Sequence, residues 1–213
     1  MCDYMVMIKV FKIAFMAVMT LVMAFAFSCS NQTDTTLTQQ QTSISNYLKS
    51  SHQPRLIPEA EISESLEANP EFYSQWGLDI YRYVATYYDE DRQSKPVVAL
   101  GDEVALRYSA YIFKSSRPST ENLFATNDEA KIDELVSAGL DASYEWSSEA
   151  LVVTFGEGEI LDSLEIALEG CHEGDSVEVY LTFEAGYGNK YLGMVPPKSA
   201  TAWFIDILSV TKK

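Results

Sequence analysis

From Phe155 to Val210 the chain carries one short helical stripe, then a strand, a glycine-flanked aromatic loop, a double-proline turn and a closing strand. No other part of the sequence limits the fold as tightly. Between Glu159 and Gly170 the apolar residues Ile160, Leu161, Leu164 and Leu168 fall at offsets of one, four and eight, a single stripe on a helix of about three turns. Gly170 stands where a left-handed cap ends such a helix. Val177, Val179, Leu181 and Phe183 then alternate with Glu178, Tyr180 and Thr182, the period of a strand. After Ala185-Gly186-Tyr187-Gly188 and Val195-Pro196-Pro197 the chain closes on a run in which Trp203, Ile205 and Ile207 share a face.

Upstream, Val104, Leu106, Tyr108, Ala110 and Ile112 alternate with Glu103, Arg107, Ser109 and Tyr111, a half-buried antiparallel strand. Leu78 to Tyr88 is rich in Tyr and β-branched residues and reads as another strand, so the domain proper is expected to run from about Trp76 to residue 213. Between Phe124 and Leu151 an insertion at about 125–150 predicts a helix containing Ile132, Leu135 and Val136, capped by Asn127 or Asp128 and stopping at Gly139. It is either a lid or a surface decoration. Tyr144 and Trp146 read as packing. Residues 29–75 are expected to form a tether and a helical appendage. Ser30 to about Gln41 is nearly all Thr, Gln, Asn and Ser, the composition of a tether. Leu37, Ile44, Tyr47 and Leu48 suggest a short helix ending near Ser50, and the acidic residues 59–71 a solvated face.

Residues 1–28 read as a targeting segment, with Lys9 and Lys12 ahead of an uncharged apolar run from Ile13 to Phe27. The ending Ala26-Phe27-Ser28-Cys29 resembles a bacterial lipoprotein signal, in which Cys29 would be acylated and become the new N-terminus; an ordinary signal peptide and an N-terminal membrane helix are the alternatives. With Cys2 in the removed segment and Cys29 acylated, Cys171 is left alone and no intramolecular disulfide is expected. A net charge of −16 argues against nucleic-acid binding, which needs clustered Lys and Arg. That acidity gives solubility, or a surface that attracts cations and repels acidic clients. His52 and His172 are the only histidines, too few for a histidine-based metal site or triad, and no metal is expected. Glu157, Glu159, Asp162 and Glu165 suit a solvated rim better than a weak cation site.

Several of these stretches, in this order, resemble the FKBP-type peptidyl-prolyl isomerases. Gly101-Asp102-Glu103-Val104-Ala105-Leu106-Arg107-Tyr108 is similar to the family's "G-x-x-V-x-V-x-Y", Leu123-Phe124-Ala125-Thr126 to its "x-F-D-S", and Leu151 to Phe155 to its "F-x-F-x-L-G" strand. Ile160-Leu161-Asp162-Ser163-Leu164 resembles "V-I-x-G-W", and Glu173-Gly174-Asp175 the helix-to-strand turn. Gly186-Tyr187-Gly188 resembles "Y-x-Y-G", Val195-Pro196-Pro197 "I-P-P", and Trp203-Phe204-Ile205-Asp206-Ile207 "F-D-V-E-L".

The resemblance implies an α+β fold, a curved antiparallel sheet wrapped around one short helix. It implies a prolyl isomerase acting as a monomer on proline-containing polypeptides without a cofactor; with the lipoprotein-like ending at Cys29, the expected place is the cell envelope of a Gram-negative bacterium, held through Cys29 at the outer membrane. The pocket would comprise Tyr108, Phe124, Leu151, Ile160, Leu161, Leu164, Tyr187 and Trp203. Its carbonyl-binding donors would be the Leu161 amide and the Tyr187 hydroxyl, with Tyr108 on the catalytic wall. As residues alone, Ile160 and Leu161 serve equally well as core. Three positions depart from the family: Leu164 replaces the aromatic floor, Ala125 the pocket aspartate and Leu151 a wall phenylalanine. One lost polar contact costs about 1–3 kcal/mol, roughly ten- to a hundredfold in rate. The alternative function is therefore a catalytically weak or inactive peptide-binding module or chaperone.

Overall fold

The structure, a computed structural model, describes residues 35–139 and 146–213; the expected targeting segment, Cys29 and Tyr144 lie outside them. The described elements run α1 (Thr35–Asn46), β1 (Ile57–Pro58), β2 (Phe72–Trp76), β3 (Ile80–Val84), β4 (Glu103–Ile112), β5 (Leu123–Thr126), α2 (Glu129–Ser137), β6 (Leu151–Thr154), α3 (Asp162–Leu168), β7 (Ser176–Leu181) and β8 (Thr201–Thr211). Among the described residues the strands make one sheet in the order β1-β2-β3-β7-β8-β4-β5, with β6 also paired to β4. Every pairing is antiparallel except β1 with β2. This is the expected α+β fold. The stretch read as an appendage supplies β1 and β2 to the same sheet, and Thr36–Lys213 form one compact unit.

β4 and β8 are the long central pair, paired from Glu103↔Thr211 to Ile112↔Thr201 with one shift of register between Ala105 and Leu106. The other edge of β4 is shared: β6 covers Glu103 to Leu106, and β5 covers Ser109 to Tyr111. One face of the sheet packs on α3, where Leu164, Ala167 and Leu168 meet Val104, Leu106, Val179, Leu181, Ile205 and Ile207. Each such side chain withdrawn from water contributes about 1.5–3 kcal/mol. α3 is shorter than the stripe predicted, because Leu161 is extended at φ −61°, ψ 132° and the helix begins only at Asp162. Ile160 and Leu161 form its lead-in. Asp162 and Glu165 lie in the first turn, where the helix dipole favours carboxylates, and Gly170 leaves the far end at φ +77°. That end is also held from the sheet: the Arg82 guanidinium donates to the carbonyls of Ala167 at 2.9 Å and Glu169 at 3.1 Å.

The opposite face is covered too. Ile44 on α1, with Tyr47 and Leu48 in the helical turn Tyr47–Ser51 that follows it, packs on Tyr73, Tyr81, Tyr83, Phe113 and Tyr180. Thr35 to Gln41, expected as tether, is therefore helical, and its polar side chains fasten it to the sheet. The Gln40 amide accepts from the Phe183 N–H at 2.8 Å and donates to the Lys198 carbonyl at 2.8 Å; Gln41 donates to Asp79 at 3.1 Å. Past α1 the buried His52 ring meets the Pro54 carbonyl at 2.6 Å through Nδ1 and the Glu178 carboxylate at 2.9 Å through Nε2. Both partners are acceptors, so the doubly protonated ring satisfies both.

Burial opposes charge on His52, but the Glu178 carboxylate and the Pro54 carbonyl outweigh it and hold its pKa above the ordinary value. A raised folded-state pKa stabilises fully below the unfolded value of about 6.5 and stops doing so as pH rises through the folded value. Urea unfolding of wild type and His52→Gln from pH 5.5 to 9 is expected to show a stability difference that is largest at the acid end and shrinks towards pH 9. A difference independent of pH would mean that the ring is neutral when folded.

Candidate functional site

Between α3 and the sheet a hollow of about 370 Å³ opens to the surface. Tyr108, Leu151, Ile160, Leu161, Leu164, Tyr187 and Trp203 line it, together with Leu106, Gly158, Glu159, Leu168 and Ile205. The remaining expected residue, Phe124, stands behind the rim, edge-on to Tyr187 at 6.1 Å and to Trp203 at 5.7 Å between ring centroids. Tyr108 packs against Trp203 at 5.9 Å. Segments far apart in sequence thus bring one aromatic cluster together.

Each side chain is placed by its element. Tyr108 on β4 and Trp203 on β8 sit in the adjacent central strands, and the Trp203 indole N–H is already used by the Thr201 hydroxyl at 3.1 Å. Tyr187 projects from a tight loop in which the Gly186 N–H donates to the Thr182 carbonyl at 2.9 Å and the Gly188 N–H to the Phe183 carbonyl at 2.8 Å. The loop needs its glycines. A Cβ on Gly186 would come within 3.3 Å of the Thr182 carbonyl, and Gly188 has φ +62°, a conformation that side chains disfavour. Leu161 is extended just ahead of the helix, and its N–H has no acceptor among the described residues.

The hydroxyls of Tyr187 and Tyr108 likewise have no hydrogen-bond partner among the described residues. Burial, with a smaller contribution from Tyr108, pushes the Tyr187 phenol up to about 12, and burial raises Tyr108 as well. Both remain protonated near neutral pH and available as donors. Cys171 is fully buried and burial pushes its thiol up to about 11, which leaves it a packing group rather than a nucleophile.

Sequence reasoning missed one residue that holds this wall. Asn127 does not cap α2; Asp128 does, accepting from the Ala130 N–H at 3.1 Å. The Asn127 side chain turns inward to the stretch of β4 that neither β5 nor β6 covers. Its carbonyl oxygen accepts from the Tyr108 N–H at 2.6 Å, and its amide donates to the carbonyls of Leu106 at 2.9 Å and Glu149 at 3.0 Å. One side chain so completes the ladder beside Tyr108 and ties the start of β6 to it. The spacing showed a polar residue ahead of a helix, with nothing to say which way it turned. α2 contributes no residue to the lining of the hollow, and its Lys131 lies beside Tyr111, whose ring packs on Phe204. Its described residues therefore decorate the surface and form no lid.

A profile of the FKBP-type peptidyl-prolyl cis-trans isomerase family matches residues 96–208, the span from the loop before β4 into β8. The chain belongs to that family. A search of curated proteins finds no match to it.

Asn127→Ala leaves buried backbone groups of β4 unpaired and is expected to cost about 1–3 kcal/mol of stability, measured by denaturant unfolding. A cost below roughly 0.5 kcal/mol, the range of ordinary surface substitutions, would show that the three contacts do not hold the wall.

Proposed function

We propose that the protein is a peptidyl-prolyl cis-trans isomerase that assists folding of proline-containing polypeptides in a Gram-negative cell envelope, as a monomer anchored by lipid at Cys29 to the outer membrane. The observation that carries the catalytic reading is the apolar hollow walled by Tyr108, Trp203 and Tyr187, with two protonated phenols and the Leu161 N–H unspent. Family membership supports it.

The reaction asks for little covalent chemistry. Turning an X–Pro bond breaks amide resonance, a barrier of about 18–20 kcal/mol, and uncatalysed exchange takes tens to hundreds of seconds. The planar amide is more charge-separated than the twisted one, so withdrawing it from water into an apolar hollow favours the twist. The proline ring enters between Trp203 and the Ile160–Leu161 lead-in. The Leu161 N–H and the Tyr187 hydroxyl donate to carbonyl oxygens of the bound chain, fixing one side of the bond while the other turns. A hollow of about 370 Å³ lies at the small end of ligand sites and suits one proline with its flanking backbone. Tyr191 and Met194, exposed on the loop that follows Tyr187, offer apolar surface to the rest of a client.

One observation favours a second reading, a peptide-binding module with little turnover: Ala125 is packed against the core beside Phe124 and brings no polar group to the site. A proline-peptide isomerisation assay separates the two. Catalysis above background supports the first; peptide binding without catalysis supports the second. Within the first reading, Tyr187→Phe is expected to lower kcat/KM about tenfold, the loss of one hydrogen bond. The rate is also expected to stay flat from pH 6 to 9, because both phenols titrate above that range. A full rate in Tyr187→Phe would remove that hydroxyl from the mechanism. Palmitate labelling in cells is expected to disappear in Cys29→Ala, and persistent labelling would place the anchor elsewhere.

A further inference from the structure

We propose that the hollow selects prolines with a lysine or arginine beside them, and that Glu159 is the residue that reads the positive charge; the proposal rests on the isomerase reading above. Among the described residues lining the hollow, Glu159 alone carries a charge. Its Oε2 accepts from the Thr154 N–H at 2.7 Å, which pins the carboxylate to the turn between β6 and α3. A pinned acceptor loses less conformational freedom on binding than a mobile one.

Among the described residues no cation answers that charge. Among the described residues Glu159 has no ion-pair partner, and no lysine or arginine occurs between Lys131 and Lys190, the span that builds β6, the turn, α3 and β7. Glu157 and Asp162 flank the pinned carboxylate with the same sign, and the nearby Glu165 is turned to the Gly156 N–H at 3.1 Å. Arg107 on β4 is occupied by Asp206 at 3.2 Å. The mouth of the hollow therefore carries an unopposed negative field in a chain of net charge −16, attracting cationic clients and repelling acidic ones. The carboxylates are not arranged to hold a metal instead: among the described residues no group of three or more His, Cys, Asp or Glu could do so. The complement is a flexible cationic side chain on a residue adjacent to the proline.

An exposed ion pair of this kind changes affinity by about two- to fivefold, so the effect is a preference rather than an absolute filter. The test uses peptides identical except for Lys, Leu or Glu on either side of one proline. Both kcat/KM and the dissociation constant, from tryptophan fluorescence, are measured at low salt and at about 1 M salt, where the Debye length falls to about 3 Å. At low salt the Lys peptide at one or both positions is expected to exceed the Glu peptide by about two- to fivefold. The ratio falls towards one at high salt and in Glu159→Gln, which keeps an oxygen to accept from the Thr154 N–H. Equal values for Lys and Glu at low salt, or a ratio that survives either high salt or Glu159→Gln, overturn the proposal. Should Glu159→Gln fail to fold, the salt dependence of the wild type decides. Failure to turn over the Leu peptide refutes the isomerase reading alone, and the dissociation constants then judge the charge preference by the same ratios. Absence of binding to every peptide overturns both.

Discussion

Every N–H and C=O along β4 has to be paired, because the strand runs through the middle of the sheet where water cannot serve it. On the β8 side one long strand does this from Glu103 to Ile112. On the other side the work is divided between two short strands, and the chain leaves the sheet between them to make α2. The break falls beside Tyr108, a wall of the hollow. Asn127 closes it with three hydrogen bonds, so the insertion is accommodated without loosening the strand that carries the site. The backbone beneath that wall is thereby paired at the Tyr108 N–H and the Leu106 carbonyl.

The second constraint is that the sheet is covered on both faces. On its α3 face the alternation of β7 reads correctly: Val177, Val179 and Leu181 are in that core. On the opposite face, alternation alone does not tell a buried surface from a solvated one. Tyr180 alternates with those residues as a face turned to water would, yet it is fully buried, together with Tyr73, Tyr81 and Tyr83. Tyrosine bridges the two environments, an apolar body with a polar tip, so a face built of it looks half-exposed in sequence and packs as core. Its cover, α1, was legible only in part: Leu37, Ile44, Tyr47 and Leu48 announce a helix ending near Ser50, and helical backbone does run to Ser51, but its start reads as tether. Gln40 and Gln41 look like tether residues, and only the folded chain shows their amides paired with the strand-end groups they reach.

The site was legible to the extent that it is local. Gly186-Tyr187-Gly188 announces a tight loop, Ile160-Leu161 the entry to a helix, and Trp203 the inward face of a strand. The structure brings all of these to one hollow. The residues that hold the hollow in shape were not legible, because their partners are distant in sequence. Arg82 lies on β3, but its guanidinium holds the end of α3 and stacks over Trp76 at 4.9 Å. Asp175 looks like a turn residue, yet it forms a buried two-point ion pair with Arg92, 2.8 Å at each contact. It also accepts from the His172 N–H at 2.7 Å, so the turn after α3 is fixed from across the fold. Local pattern marks the side chains that face the hollow; those that face other side chains depend on partners far along the chain.

At the three positions expected to depart from the family pattern, Leu164 on α3 and Leu151 on β6 line the hollow with aliphatic side chains, while Ala125 on β5 packs against the core. The aromatic lining lies on β4, β8 and the Tyr187 loop. Trp203, large and already satisfied at its indole N–H, supplies apolar wall without asking for a partner from the substrate. Among the described residues, the polar groups left at the hollow include the Tyr187 and Tyr108 hydroxyls, the Leu161 N–H and the rim carboxylate of Glu159. On the proposed isomerase reading, a site built this way gains more from excluding water than from orienting its substrate through many contacts. Exclusion acts on any proline, whereas orientation discriminates among them. The discrimination proposed for Glu159 therefore falls to the charged rim, where a change of sign in a neighbouring residue would matter more than the shape of the ring inside.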